Sequence, residues 1–401
     1  MNSVQSNYRV FGATLLVAGC CIGAGMLGLP VLTALGGFLP TCLLFFFCWL
    51  FMAATGLLLL EVNLWFKEEV NVVTMASRTL GPIGAFMAWF LFAFLFYSLM
   101  VAYISASGQL IADRLQTLTG VIVAEWAGSL FLTLLFSVFL YLGTTMVDRV
   151  NRLLMLGLAA SYLILVCVGS RHVRIDLLSH VDWSASAYAI PAMIVSFGFH
   201  NLVPSLATYL DRDVKKLRFS IVAGSAIPLV IYLMWEWLIL GLIPLDGENG
   251  FRQALGQGDM ATRALRNIVG SAWVVDLAEA FAFFAIITSF LSVSLSFVDF
   301  LADGLHIRKT GSGKVKLCVL SLTPPFLFAL FYPGIFLKAL SYAGAFGAVI
   351  LFGVMPAAMA YQGRYRKNLQ GPLLIPGGKG VLALIFIVSI AIVCLEMVTT
   401  R

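Results

Sequence analysis

Gly19-Cys20-Cys21-Ile22-Gly23-Ala24-Gly25-Met26-Leu27-Gly28-Leu29-Pro30 decides the fold of this chain. The run around it, residues 9–36, is apolar and long enough to cross a bilayer, yet it holds Gly23, Gly25 and Gly28 within six residues, followed by Pro30. In a helix interior glycine is about 1 kcal/mol and proline about 3 kcal/mol less favourable than alanine. A helix is expected to break here, at mid-membrane.

A second run has the same character: Ser196-Phe197-Gly198-Phe199-His200-Asn201-Leu202-Val203-Pro204. Glycine, histidine and asparagine stand where lipid would favour leucine. Close packing of small residues between membrane helices accounts for one such interruption. Two interruptions at corresponding positions of two halves point to a small-molecule site instead. Half-helix N-termini offer free amides, and unwound carbonyls can hold cations. Gly25 and Gly198 are therefore expected in non-helical backbone, facing each other near the membrane centre.

Working outward, 61% of the 401 residues are hydrophobic and 11% charged, against roughly 25% charged in a soluble domain. Runs of about 20 apolar residues, the length that spans about 30 Å of hydrocarbon, recur along the chain. They are too long and too uniformly apolar for barrel strands, so the fold class is all-α, a polytopic membrane protein of about eleven helices. The spans read as 9–36, 38–66, 83–112, 123–143, 150–170, 185–210, 218–245, 273–304, 315–333, 336–361 and 379–399. The first lacks a small-residue cleavage pattern and runs past Pro30, as a retained helix does.

Lys and Arg set the orientation. Clusters such as Lys215, Lys216 and Arg218, or Arg308, Lys309, Lys314 and Lys316, fall in alternate loops. With the N-terminus inside, the bias is about two to one toward the cytoplasm, and an odd span count puts the C-terminus outside. The net charge of +6 thus speaks of membrane orientation, and nothing suggests nucleic acid as a partner. All seven cysteines lie within expected spans, where they act as small hydrophobes. Neither a disulfide framework, a metal site nor a cofactor is indicated.

Span 3 ends in Leu110-Ile111-Ala112-Asp113-Arg114-Leu115 and span 8 in Phe300-Leu301-Ala302-Asp303-Gly304-Leu305. Each is the third span of its half if residues 9–170 and 185–361 are repeats within one transporter domain, 1–401. Five spans per half is an odd number, so the halves must be inverted, and 379–399 is an appended helix.

The two broken helices, with the run 57–62, Tyr103-Ile104-Ser105, the runs 224–230 and 328–333, and Thr288-Ser289-Phe290-Leu291, resemble the hydroxy and aromatic amino acid permease family. That family sits in the amino acid-polyamine-organocation superfamily, and the likeness is greatest to its tyrosine permeases, although tryptophan permeases are similar in the same stretches. The resemblance implies the five-plus-five inverted-repeat fold of the leucine transporter, with helices 1 and 6 discontinuous. It also implies import of an aromatic amino acid across the bacterial inner membrane by ion symport. Tyrosine is the favoured substrate, with tryptophan or phenylalanine as the alternative. By that resemblance the amides of Gly23, Ala24 and Gly25 take the substrate carboxylate, carbonyls near Ser196 and Phe197 take its ammonium, Phe199 borders its ring, and Gly198 belongs to the same substrate-binding set. Physics agrees, since a buried zwitterion needs both ends paired, and Phe197, Phe199, Tyr97 and Tyr103 can form an apolar slot.

Ionisable residues inside spans are functional candidates by default. Glu61, Glu236, Glu279 and Asp299 are such acids, of which Glu61 belongs to the family pattern. His200 lies in the second break and can exchange a proton near neutral pH, or stay neutral and bond a freed carbonyl. Relatives in the wider superfamily that use protons often carry a lysine in span 5, and here no Lys or Arg lies between Arg152 and Arg171. Thr288 and Ser289 resemble the hydroxyl pair that holds sodium with span 1 carbonyls, here near Gly19 and Ile22. Protons are the expected coupling ion on the family's habit, with sodium the alternative. Arg9 and Asp303, on the same side, are expected to form an inner gate that meets when the pathway closes inward and separates when it opens.

No H-E-x-x-H, Cys-His pair, G-x-S-x-G elbow or phosphate-binding glycine loop occurs, so an enzyme is not expected. A channel is the remaining competitor, and paired inverted broken helices suit a carrier better.

Overall fold

An apolar run in lipid leaves its backbone no partner but itself, so each run winds into a helix. The computed structural model describes residues 3–142, 144–268 and 272–399. In chain order its helices are α1 (Ser3–Cys21), α2 (Gly25–Thr33), α3 (Phe38–Leu64), α4 (Val72–Leu80), α5 (Pro82–Thr119), α6 (Glu125–Leu142), α7 (Thr144–Gly169), α8 (Trp183–Ser186) and α9 (Ile190–Ser196). There follow α10 (Val203–Tyr209), α11 (Val214–Leu240), α12 (Phe251–Gln257), α13 (Ala261–Ile268), α14 (Ala272–Gly304), α15 (Ser312–Phe331), α16 (Phe336–Tyr342), α17 (Met355–Tyr365) and α18 (Gly378–Thr399). Wider π-helical turns, Ala343–Ala348 and Ile350–Val354, join α16 to α17. Among the described residues ten helical segments are long and apolar enough to cross a bilayer, and the bent pair α1 and α2 makes an eleventh. The chain is thus an all-helical, polytopic membrane protein, as its composition demands.

Local chemistry sets the ends. The Asn71 side chain caps α4 by accepting from the Thr74 amide at 2.8 Å, and Asp213 caps α11 by accepting from the Lys215 and Lys216 amides; each satisfies donors that a first turn leaves without acceptors. Pro82 opens α5, where its missing N–H is no loss, and Gly120 closes it at φ 71°. At 38 residues α5 is about 57 Å long, well beyond the roughly 30 Å of hydrocarbon. Its last turns, with Asp113 and Arg114, therefore stand near or beyond the membrane face.

Both interruptions are present. α1 and α2 meet at 55° across Ile22-Gly23-Ala24. α9 stops at Ser196, and after Phe197-Gly198-Phe199 a short 3-10 turn, His200–Leu202, leads into α10. Gly198 is non-helical as expected, but Gly25 is not: it is the first residue of α2. Ile22 to Ala24 suffice to turn the chain, so the helix restarts one residue earlier than the glycine spacing suggested.

Pro30 lies inside α2 and has no N–H to give the carbonyl four residues back, at Met26. The indole Nε1–H of Trp235 donates to that carbonyl at 2.8 Å. A helix-breaking residue is tolerated because α11 supplies the missing donor.

Candidate functional site

A cavity of about 410 Å³ lies where the two breaks meet, within the range of small-molecule sites, roughly 300–1,000 Å³. α1 and α2 contribute Gly19, Cys20, Cys21, Ile22, Gly23 and Gly25, and the second break Ser196, Gly198 and Asn201. α5 contributes Phe92, Phe96 and Tyr103, α14 contributes Thr288, Ser289, Ser292 and Ser296, and the π-helical turns bring in Phe352. The lining combines polar and backbone groups with aromatic rings. Phe92 and Phe96 stack, and Phe352 meets Phe92 edge-on.

The breaks are locked together by shared partners. The Tyr232 hydroxyl lies 2.6 Å from the Cys21 carbonyl and 2.9 Å from the Ser196 carbonyl, the last carbonyls of α1 and α9. The Ala24 amide donates to Ser289 Oγ at 2.8 Å, and Gly23 packs so tightly on that hydroxyl that a β-carbon would collide with it. Gly25 sits against Ser196 Oγ. As the first residue of α2, its amide has no acceptor within its own helix.

Access is one-sided. Leu15, Leu16 and Cys20 border the cavity from α1, the first half of the broken span, and are exposed, whereas α2 is buried from Met26 to Thr33. On that far side α12 and α13 pack on α2. Arg263 of α13 reaches Asp113 at 2.8 and 2.9 Å, Glu125 at 2.9 Å and Asp259 at 2.6 Å, tying this cover to α5 and α6. The cavity opens toward the side on which the chain begins.

Of the expected site residues, Gly19, Ile22, Gly23, Gly25, Tyr103, Ser196, Gly198, Thr288 and Ser289 line the cavity. Ala24 does not: it is fully buried, and the amide expected to meet a carboxylate donates to Ser289 Oγ instead. Three aromatic expectations need correction. Phe197 is fully buried against the rings of Phe45 and Tyr232. Phe199, also fully buried, fills the gap left by Gly56 and stacks on His200. The Tyr97 hydroxyl is spent on the Leu320 carbonyl at 2.9 Å. Phe197 and Phe199 lie in an irregular break, where helical periodicity no longer says which way a side chain points, whereas Tyr97 is on regular α5 and faces α15.

The ion-coupling candidates are also distributed differently. Glu61 is buried at the end of α3 in a two-pronged ion pair with Arg364, at 2.7 and 2.8 Å, and accepts from the Leu374 amide. It is fully compensated and does not border the cavity. His200 is fully buried between the rings of Phe199 and Phe352, with Nε2 3.0 Å from Thr55 Oγ1. Thr288 turns its hydroxyl back on its own helix, to Phe284. From α7 it is Met155 that approaches Gly19.

Arg9 pairs with Asp211 at 2.6 Å and with the Tyr209 carbonyl, not with Asp303, which is exposed at the end of α14. The expected Arg9–Asp303 pair is therefore not formed in this structure, because Arg9 is held by Asp211. Asp299 pairs with Lys309 and Glu279 with Arg114.

Sequence reading missed Phe92, Phe96, Phe352, Ser292, Ser296, Asn151 and Tyr232. A signal for several exists in helical spacing. Ser289, Ser292 and Ser296 form a polar stripe at i, i+3 and i+7 on an otherwise apolar helix, and Phe92 and Phe96 stand at i and i+4.

Fold and site together define a multi-pass helical membrane protein whose two interrupted spans enclose a solute-sized cavity. The tryptophan/tyrosine permease family matches residues 6–396. The tyrosine-specific transport system 1 of Haemophilus influenzae is 33% identical over 393 residues, covering 96% of this chain and 95% of that protein. The tryptophan-specific transport protein of the same organism is 30% identical over 398 residues, with 96% and 95% covered. The low affinity tryptophan permease of Escherichia coli is 27% identical over 402 residues, with 98% and 96% covered. The chain belongs to the tryptophan/tyrosine permease family: it is a transport protein of the aromatic amino acid permeases, not an enzyme.

Proposed function

We propose that the protein imports tyrosine across the bacterial inner membrane by symport with a proton, using a five-plus-five inverted-repeat fold and alternating access. The cavity at the two breaks carries this reading, since its lining combines polar and backbone groups with aromatic rings. The Gly23 and Gly25 amides, at the positive end of α2, suit the substrate carboxylate. The carbonyls of residues 196–198 suit its ammonium, and Phe92, Phe96 and Phe352 suit its ring in place of Phe197 and Phe199. The tyrosine-specific relative supports the substrate. With the N-terminus cytoplasmic and the C-terminus periplasmic, as the Lys and Arg bias indicates, the cavity opens inward. Arg9 then exchanges Asp211 for Asp303 when the inner side closes.

Competitive uptake tests this directly, with tyrosine, tryptophan and phenylalanine as competitors and with pH and sodium gradients varied independently. Tyrosine is expected to compete best, and an inward proton gradient alone is expected to drive accumulation. Accumulation on sodium alone would replace the coupling ion, and equal indifference to all three amino acids would end the substrate assignment.

A further inference from the structure

Glu236 follows Trp235 on α11 and is fully buried. Its Oε2 accepts a 2.8 Å hydrogen bond from the hydroxyl of Thr33, the last residue of α2. Oε1 is buried without a partner. α11 thus holds the first span at three points: Tyr232 at the Cys21 carbonyl, Trp235 at the Met26 carbonyl and Glu236 at Thr33.

No counter-ion reaches this carboxyl among the described residues. Of the helices packed on α11, α2 offers no ionisable group, and α3 offers the Cys42 thiol nearby. α1 offers the Cys21 thiol, and α7 the Tyr162 hydroxyl, which donates to the Ile231 carbonyl. The turn at residues 175–179 carries Asp176, paired with Arg174, and His180 just beyond it gives Nε2 to the Leu35 carbonyl. A carboxylate buried there with one hydrogen bond and no cation is costly, and an acid inside a span is a candidate functional group.

We propose that Glu236 is a proton-binding site linked to closure of the far side, so that α2 seals against α11 only once this carboxyl has taken up a proton. The proton comes from a hydronium ion in far-side water: an O–H bond forms on Oε1 and water is left behind. When α2 lifts away, water reaches the acid and the proton returns to that side. A hydrated glutamate releases its proton near the ordinary value of about 4.3, and closure requires it back. Closure is therefore fully favoured below that value and loses up to about tenfold in equilibrium per pH unit above it. The inference rests on the carrier reading for the existence of a far-side-open state, but not on the ion that drives transport.

Cys20 faces the open cavity, so its rate of maleimide labelling follows the population closed on the far side. The rate is measured by mass spectrometry on purified wild type and on Glu236→Gln, which mimics the neutral acid. Their ratio at each pH cancels the thiol's own titration. Between about pH 5 and about pH 8 the ratio is expected to fall at least tenfold. A constant ratio overturns the proposal. Glu236→Met serves the same comparison if the glutamine variant does not fold. Failure of tyrosine and tryptophan to compete for uptake would remove the substrate assignment and leave this comparison untouched.

Discussion

The Tyr232 hydroxyl stands between the carbonyls of Cys21 and Ser196, at 2.6 and 2.9 Å, so one side chain holds the ends of both broken helices. A phenol has one proton to give, and the two carbonyls share it. Tyr232→Phe removes that donor while keeping the ring that packs on Phe45 and Phe197. Two buried carbonyls then lose a partner, and stability is expected to fall by about 1–3 kcal/mol. Counterflow of labelled tyrosine in proteoliposomes should slow sharply. Wild-type rates in Tyr232→Phe would show that the clasp plays no part in transport.

The corrected aromatic assignments separate binding from packing. Phe352 borders the cavity and Phe199 does not. Phe352→Ala should weaken tyrosine binding more than tenfold, because it opens the aromatic wall. Phe199→Ala leaves a void beside Gly56 and should cost about 3–5 kcal/mol in stability, while Phe199→Leu binds tyrosine nearly as well as wild type. Calorimetric binding together with thermal unfolding distinguishes the two effects.

Glu61 is expected to matter for folding rather than for coupling. Its ion pair with Arg364 is almost wholly buried, with side-chain exposures of 2% and 10%. Breaking such a pair from one side costs about 3–5 kcal/mol, so Glu61→Ala should lower the unfolding temperature. The purified fraction that remains folded should still concentrate tyrosine on a proton gradient. Normal stability with lost accumulation would reverse this assignment.

These contrasts show what was legible in the sequence. Runs of apolar residues located every span, because hydrocarbon thickness sets the shortest length that can cross, and the glycine clusters located both breaks. Side-chain direction inside a break was not legible. Phe197, Gly198 and Phe199 follow no period, so whether a ring faces substrate or core depends on Tyr232, Gly56 and Phe352, all distant in sequence. The partner of Arg9 was hidden for a related reason: Asp211 and Asp303 both stand at span ends, and only the packing of α10 beside α1 selects Asp211. Trp235 and Met26 are a third case, since a proline in a span announces a carbonyl without a donor but not which helix will supply one.

The central claim is that the cavity between the two breaks binds an aromatic amino acid through its carboxylate. Alkylation of Cys20, followed by mass spectrometry of the purified protein, tests it with a native reporter, since this thiol lines the cavity. Cys167 and Cys394 are exposed and outside that lining, and serve as internal controls. Saturating tyrosine is expected to slow modification of Cys20 at least tenfold and to leave both controls unchanged, while tyramine, which lacks the carboxylate, protects poorly. Equal modification of Cys20 with and without tyrosine, or equal protection by tyramine, would contradict the account.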